Sequence, residues 1–137
     1  MSSFRIFDIA GSAMQAQSVR LNTVASNLAN ADSVATRPED AYKPRMPVFQ
    51  AMLDAEQGPQ GGASVGVQRI AESQRPAEAR SQPGHPLADA QGYVYAPAVN
   101  AVEEMVNMMS ASRSYQSSVE AMNTAKELMT RTLNIGR

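Results

Sequence analysis

The chain has 137 residues, 12 basic against 13 acidic, with a single histidine; this balance leaves no electrostatic footprint for nucleic acid or an anionic membrane surface. Cysteine and tryptophan are absent, and the 43% apolar content leans on alanine and nine methionines, beside three Phe and four Tyr. Disulfides and thiolate metal sites are therefore excluded, and little material remains for an ordinary close-packed core.

All eight prolines lie between Pro38 and Pro97, and six of the eight glycines lie between Gly58 and Gly92. The expected fold is mainly α. Two long terminal helices, within residues 1–31 and 98–137, pack as an antiparallel coiled-coil-like hairpin. Between them, residues 32–97 form an extended, Pro/Gly-rich middle containing a small β-hairpin. Asp8 and Gln15 interrupt the apolar residues near the start, so no secretory leader is expected there. Nothing approaches the roughly 18 consecutive apolar residues of a membrane span.

The first arm covers about residues 4–31. Phe7, Met14, Leu21 and Leu28 recur every seven residues, with Ala10, Gln17, Val24 and Ala31 interleaved, the pattern of a coiled-coil seam with one polar position at Gln17. Between Ile9 and Ala31 the one charged residue is Arg20. A solvated helix normally shows Lys and Glu on its outer face. This arm is therefore expected to be covered on most sides, more than a lone hairpin supplies.

In the middle, residues 47–53, 63–70 and 92–95 are candidate strands, with the Gly61-Gly62 pair suggesting a hairpin between the first two. His85 sits between Gly84 and Pro86, where a turn and a structural role are expected. The carboxylates show no ligand pairing at helical spacing, and the glycines from Gly58 to Gly66 lack the spacing and following helix of a phosphate loop. No enzyme, metal site or cofactor is expected.

The second arm covers about residues 98–134. Its apolar pattern begins Val102, Met105, Met109, Ser112, slips by a three-residue step to Tyr115, and continues Val119, Met122, Lys126, Met129, Leu133. Such a step overwinds a coiled coil or marks a change of partner. Glu103 and Glu104 near its start and Lys126 and Arg131 near its end suit the helix dipole, and Gly136 is a plausible terminator. Its methionines suit a compliant interface with non-identical neighbours.

Residues 21–33, Leu-Asn-Thr-Val-Ala-Ser-Asn-Leu-Ala-Asn-Ala-Asp-Ser, resemble the N-terminal signature of bacterial flagellar axial (rod and hook) proteins, here carried by Asn22, Asn27, Leu28, Ala29 and Asn30. Residues 102–109, with Arg113, Tyr115, Asn123 and Lys126, resemble the C-terminal signature of the same family. Residues 6–14 and 83–94 resemble its proximal-rod members most. Two departures stand out. Residues 34–38, Val-Ala-Thr-Arg-Pro, have no glycine where Thr-x-Gly is common, and Ser117-Ser118 replaces a common Ala-Asn.

The resemblance implies a structural subunit of the flagellar basal-body proximal rod. It would assemble helically into a hollow periplasmic drive shaft that transmits torque and forms the export channel. The implied partners are further copies of the chain, other rod proteins, membrane-ring and rod-junction proteins at the base, and the flagellar type III export apparatus. Export without a cleavable signal peptide is implied, with neither nucleic-acid binding nor membrane insertion. The seam residues Phe7, Met14, Leu21, Val24, Leu28, Val102, Met105, Met109, Tyr115, Val119, Met122, Met129 and Leu133 would then serve packing and assembly. The competing reading is a soluble coiled-coil adaptor or export chaperone of a type III secretion system. A cell-wall-cleaving enzyme is a remote third.

Overall fold

A computed structural model describes residues 2–53 and 63–135, with the side chains of Ser2, Ser3 and Phe4 outside the description. Helix α1 (Ser2–Ala29) and helix α2 (Ala101–Ile135) form the expected antiparallel hairpin. Its register is fixed at both ends. Asn27 Nδ2 donates to Glu104 Oε2 at 3.2 Å. Toward the opposite end Gly11 faces the Met122 methyl, which an added Cβ would meet at an ordinary van der Waals distance of 4.0 Å. Ile6 shares one cleft with Ala125 and Met129.

The helix boundaries follow from local chemistry. Asn100 starts α2: its Oδ1 accepts the N–H groups of Val102 at 3.0 Å and Glu103 at 3.3 Å, two donors that the first turn leaves unpaired. Glu103 and Glu104 follow in that turn, where the dipole favours negative charge. The proposed terminator Gly136 lies outside the described residues. Helix α1 ends without a glycine. Asn30 Nδ2 donates to the Ser26 carbonyl at 2.8 Å, and the Ala31 N–H takes the Leu28 carbonyl in a tightened last turn. Residues 34–38 need no glycine either, since every described residue with positive φ is a glycine, Gly84 or Gly92. A short 3-10 helix, Pro38–Asp40, turns the chain back there.

The middle contains two two-stranded antiparallel sheets. Strand β1 (Arg45–Leu53) pairs with β2 (Ala63–Glu72) from Arg45 opposite Glu72 to Leu53 opposite Ala63, with a bulge between Val48 and Phe49. The Gly61-Gly62 turn expected for this hairpin falls outside the described residues. Strand β3 (Glu78–Ser81) pairs with β4 (Tyr93–Ala96). On the far side of β4, Ala35 exchanges both backbone hydrogen bonds with Tyr95 at 2.9 Å.

Strand β3 is an addition to the sequence expectation. Its four residues are all exposed and carry no apolar alternation, so only backbone pairing holds it. The buried apolar residues lie along the helix pair, at Ala10, Ala16, Val24, Ala111 and Ala125, and in the middle of the chain, at Ala31, Ala41, Val94, Ala96 and Pro97. Small side chains dominate this core, which is how a chain without tryptophan reaches close packing.

Candidate assembly interface

The most buried polar side chain in the described structure is Asn27, at 2% exposure. Its carboxamide is fully used. Nδ2 donates to the Arg45 carbonyl at 2.8 Å and to Glu104, while Oδ1 accepts the Arg45 N–H and the Tyr42 hydroxyl, each at 2.9 Å. One side chain therefore joins α1, β1 and α2. Tyr42 is held in turn by Ser26, with 3.2 Å between the hydroxyl oxygens. Asn27 completes a covered stripe with Ala16, Arg20 and Thr23 at four- and three-residue spacing, and Thr23 satisfies its own hydroxyl on the Val19 carbonyl at 2.8 Å.

That stripe explains much of the missing charge on α1. A second face of the helix is covered by β1 and β2 within the same chain, and Ser12 Oγ accepts the Val65 N–H at 3.2 Å. The exposed face that remains runs Gln15, Ser18, Asn22, Ala25, Ala29. Beyond Asp8, one heptad before Gln15, it is neutral and made of small or amide side chains. Of the seam residues, Val24 is buried and Phe7, Met14, Leu21 and Leu28 are half-buried. Gln17 brings a cost: its Oε1 is buried without a partner, which disfavours the local packing.

On α2 the covered stripe is Glu104, Met108, Ala111, Ser114, Ser118, Met122, Ala125 and Met129, with Val119 at its margin. It advances by steps of three and four residues. Reading the larger side chains led instead through Val102, Met105 and Met109, which lie on the opposite, exposed face together with Val106. Ala111, fully buried, is too small to announce itself in a pattern of large residues. Val102 and Leu133 are 70% and 73% exposed, and Tyr115 is also exposed. Among the signature residues, Asn30 is half-buried, while Arg113, Asn123 and Lys126 are exposed. A shallow groove beside the apolar face is lined by Val106, Met109, Ser110, Arg113 and Ser114.

Among the described residues no three His, Cys, Asp or Glu side chains come together as metal ligands. His85 accepts the Leu87 N–H on Nδ1 at 3.1 Å, which shapes the turn. The neighbouring Asp89 folds the loop into β4: its Oδ1 accepts the N–H groups of Gln91 and Tyr93, each at 2.9 Å, and its Oδ2 accepts the Tyr95 hydroxyl at 3.3 Å. The bond from Tyr93 N–H, followed by the other donors, holds the Asp89 carboxyl below the usual carboxylate range. Burial and the Asp89 charge raise the Tyr95 phenol.

Both arms of this hairpin match known proteins. A family model described as flagella basal body rod protein matches residues 7–35, and one described as flagellar basal body rod FlgEFG protein C-terminal matches residues 90–135. The chain is 53% identical over 137 residues to the flagellar basal-body rod protein FlgC of Salmonella typhimurium, covering 100% of each. Identity to the FlgC of Escherichia coli O157:H7 is also 53% over the full length of both chains. To that of Bacillus subtilis it is 33% over 150 aligned positions, again with complete coverage of both.

Proposed function

The chain belongs to the flagellar basal-body rod protein FlgC family, and from that membership we propose a structural subunit of the proximal rod that polymerises helically around a hollow axis. It works as a periplasmic shaft element, passing torque along its length and leaving an axial export path. Its neighbours are further copies of the chain, other rod proteins, and ring or junction proteins at the base. The flagellar type III apparatus delivers it without cleavage of a leader.

One observation carries this reading. The stretches matched by rod-family models span the two arms of a single hairpin, and that hairpin leaves Val102, Met105, Val106 and Met109 exposed on α2 and an uncharged face from Gln15 to Ala29 on α1. Faces of this kind suit burial against neighbouring helices. The whole chain, rather than one grafted motif, follows its relatives, as the full coverage of both partners indicates.

The test places a proline at Leu21 or at Val119, each in the interior of its helix. Removing a helix hydrogen bond and kinking the arm should abolish motility and leave basal bodies without a completed rod, while export of the variant continues. Normal rods in either strain would overturn the reading.

A further inference from the structure

We propose that Met105 and Met109 form an oxidation-sensitive site on the outer face of α2, at which a peroxide converts an apolar face into a polar one. The proposal deepens the rod-subunit reading and rests on it for its functional consequence, but its chemistry does not depend on it.

Met105 and Met109 stand one helical turn apart, 51% and 56% exposed, in an apolar face completed by Val102 and Val106. Met108, next to Met109 in sequence, turns the other way and is half-buried, as are Met122 and Met129 along the covered stripe. The helix thus carries two sets of thioethers. One faces solvent and the other fills the gap between α1 and α2. Because the chain has no cysteine, no faster-reacting thiol competes for an oxidant.

The reaction balances with one co-reactant. A lone pair on the methionine sulfur attacks one peroxide oxygen, the O–O bond breaks, and the departing hydroxide takes the proton of the transferred oxygen and leaves as water. Sulfur is oxidised by two electrons and the peroxide is reduced by two. The product sulfoxide is polar and strongly hydrogen-bonding, and sulfoxide reductases return it to the thioether. At Met105 and Met109 the new S=O groups would point into water, so the hairpin keeps its fold. The face they occupy loses its apolar character, and a helix that had buried against it must now desolvate two polar groups.

Limited hydrogen peroxide treatment of the full-length chain, followed by fragment mass spectrometry, tests the chemical half. Met105 and Met109 should oxidise several-fold faster than Met108, Met122 and Met129, with helix content unchanged by circular dichroism. Equal rates across the five, or loss of helix in step with Met105 and Met109 oxidation, would overturn the assignment.

For the functional half, Met105→Leu/Met109→Leu keeps the apolar volume and removes the sulfurs. Peroxide-treated wild-type chain should lose incorporation into rods by several-fold, and the double-leucine chain should retain it under the same treatment. Equal loss in both would place the sensitive group elsewhere, Met46 and Met52 being the other exposed methionines among the described residues. Failure of both untreated chains to enter rods would overturn the rod reading instead, leaving the oxidation order to stand on its own measurement.

Discussion

Asn27 meets Arg45 as one strand meets another: its carboxamide accepts the Arg45 N–H at 2.9 Å and donates to the Arg45 carbonyl at 2.8 Å. A side-chain amide has the same donor and acceptor as a peptide group, so α1 in effect completes the outer edge of β1. The second amide hydrogen reaches Glu104 of α2. A residue that the family resemblance marks only as part of a signature is thus the joint between the hairpin and the middle of the chain.

Replacing Asn27 by aspartate keeps the shape and removes both donors. It also sets a carboxylate against the Arg45 carbonyl and the Glu104 carboxylate. Leaving buried polar groups unsatisfied and adding an unpaired charge should destabilise the isolated chain by about 3 kcal/mol. Denaturant unfolding measures this. A change below about 0.5 kcal/mol, the range of a neutral surface substitution, would show that the joint does not bear on stability.

The two faces of α2 should separate folding from assembly. Ala111 has no exposed surface, and Ala111→Leu would force extra methylenes between the helices, costing about 1–3 kcal/mol. Val102→Ser changes a residue that touches little, so thermal unfolding should stay close to that of the parent. Rod incorporation should fall instead. If Val102→Ser lowers the thermal unfolding midpoint, or Ala111→Leu does not, the assignment of faces is wrong.

The helices and their antiparallel pairing were legible because residue spacing and the positions of Pro and Gly report directly on helix extent. The lower half of the α2 stripe was legible for the same reason, through Met122 and Met129. Its upper half was not. There the covered positions are Glu104 and Ala111, one charged and one small, while the large residues Val102, Met105 and Met109 face outward. A pattern weighted by side-chain size follows the larger set. Strand β3 left no trace because its order comes from hydrogen bonds to β4, which residue types do not encode. The roles of Asn27, Tyr42 and Arg45 depend on a contact 18 residues apart in sequence, beyond the reach of local spacing.

The loop before β4 should respond to acid through Asp89. Its carboxyl titrates below the ordinary carboxylate value in the fold because ionised oxygens accept the Tyr93 and Gln91 N–H groups and the Tyr95 hydroxyl. The stabilisation is therefore complete above the ordinary value and is lost as pH falls through the folded one. Tyr95 works in the opposite direction, since its raised phenol costs stability as pH climbs from the ordinary tyrosine value to the folded one. The amide resonances of Gln91 and Tyr93 should titrate with a midpoint below about 3.9, the free aspartate value. In Asp89→Asn that transition should vanish while the loop keeps its turn. A midpoint at or above the free value would contradict the arrangement.

Two glycines should answer alanine differently. Gly92 has φ +83°, a left-handed conformation that costs an L-residue about 1–2 kcal/mol, and a Cβ there would also touch the Pro83 ring at 3.4 Å. Gly92 also donates its N–H to the Asp89 carbonyl, so the strain falls inside the turn that presents β4. Gly66 is different. Its added Cβ would meet Met52 Sδ at 2.6 Å, but Met52 is an exposed, flexible side chain that can swing into water at little cost. Fewer unfolded conformations then offset part of what remains. Gly92→Ala should accordingly lower the unfolding free energy by about 1–2 kcal/mol, while Gly66→Ala should stay within about 1 kcal/mol of the parent. If Gly66→Ala proved the costlier, Met52 would have to be held in place over β2, and the outer face of that sheet would be a packed surface rather than an open one.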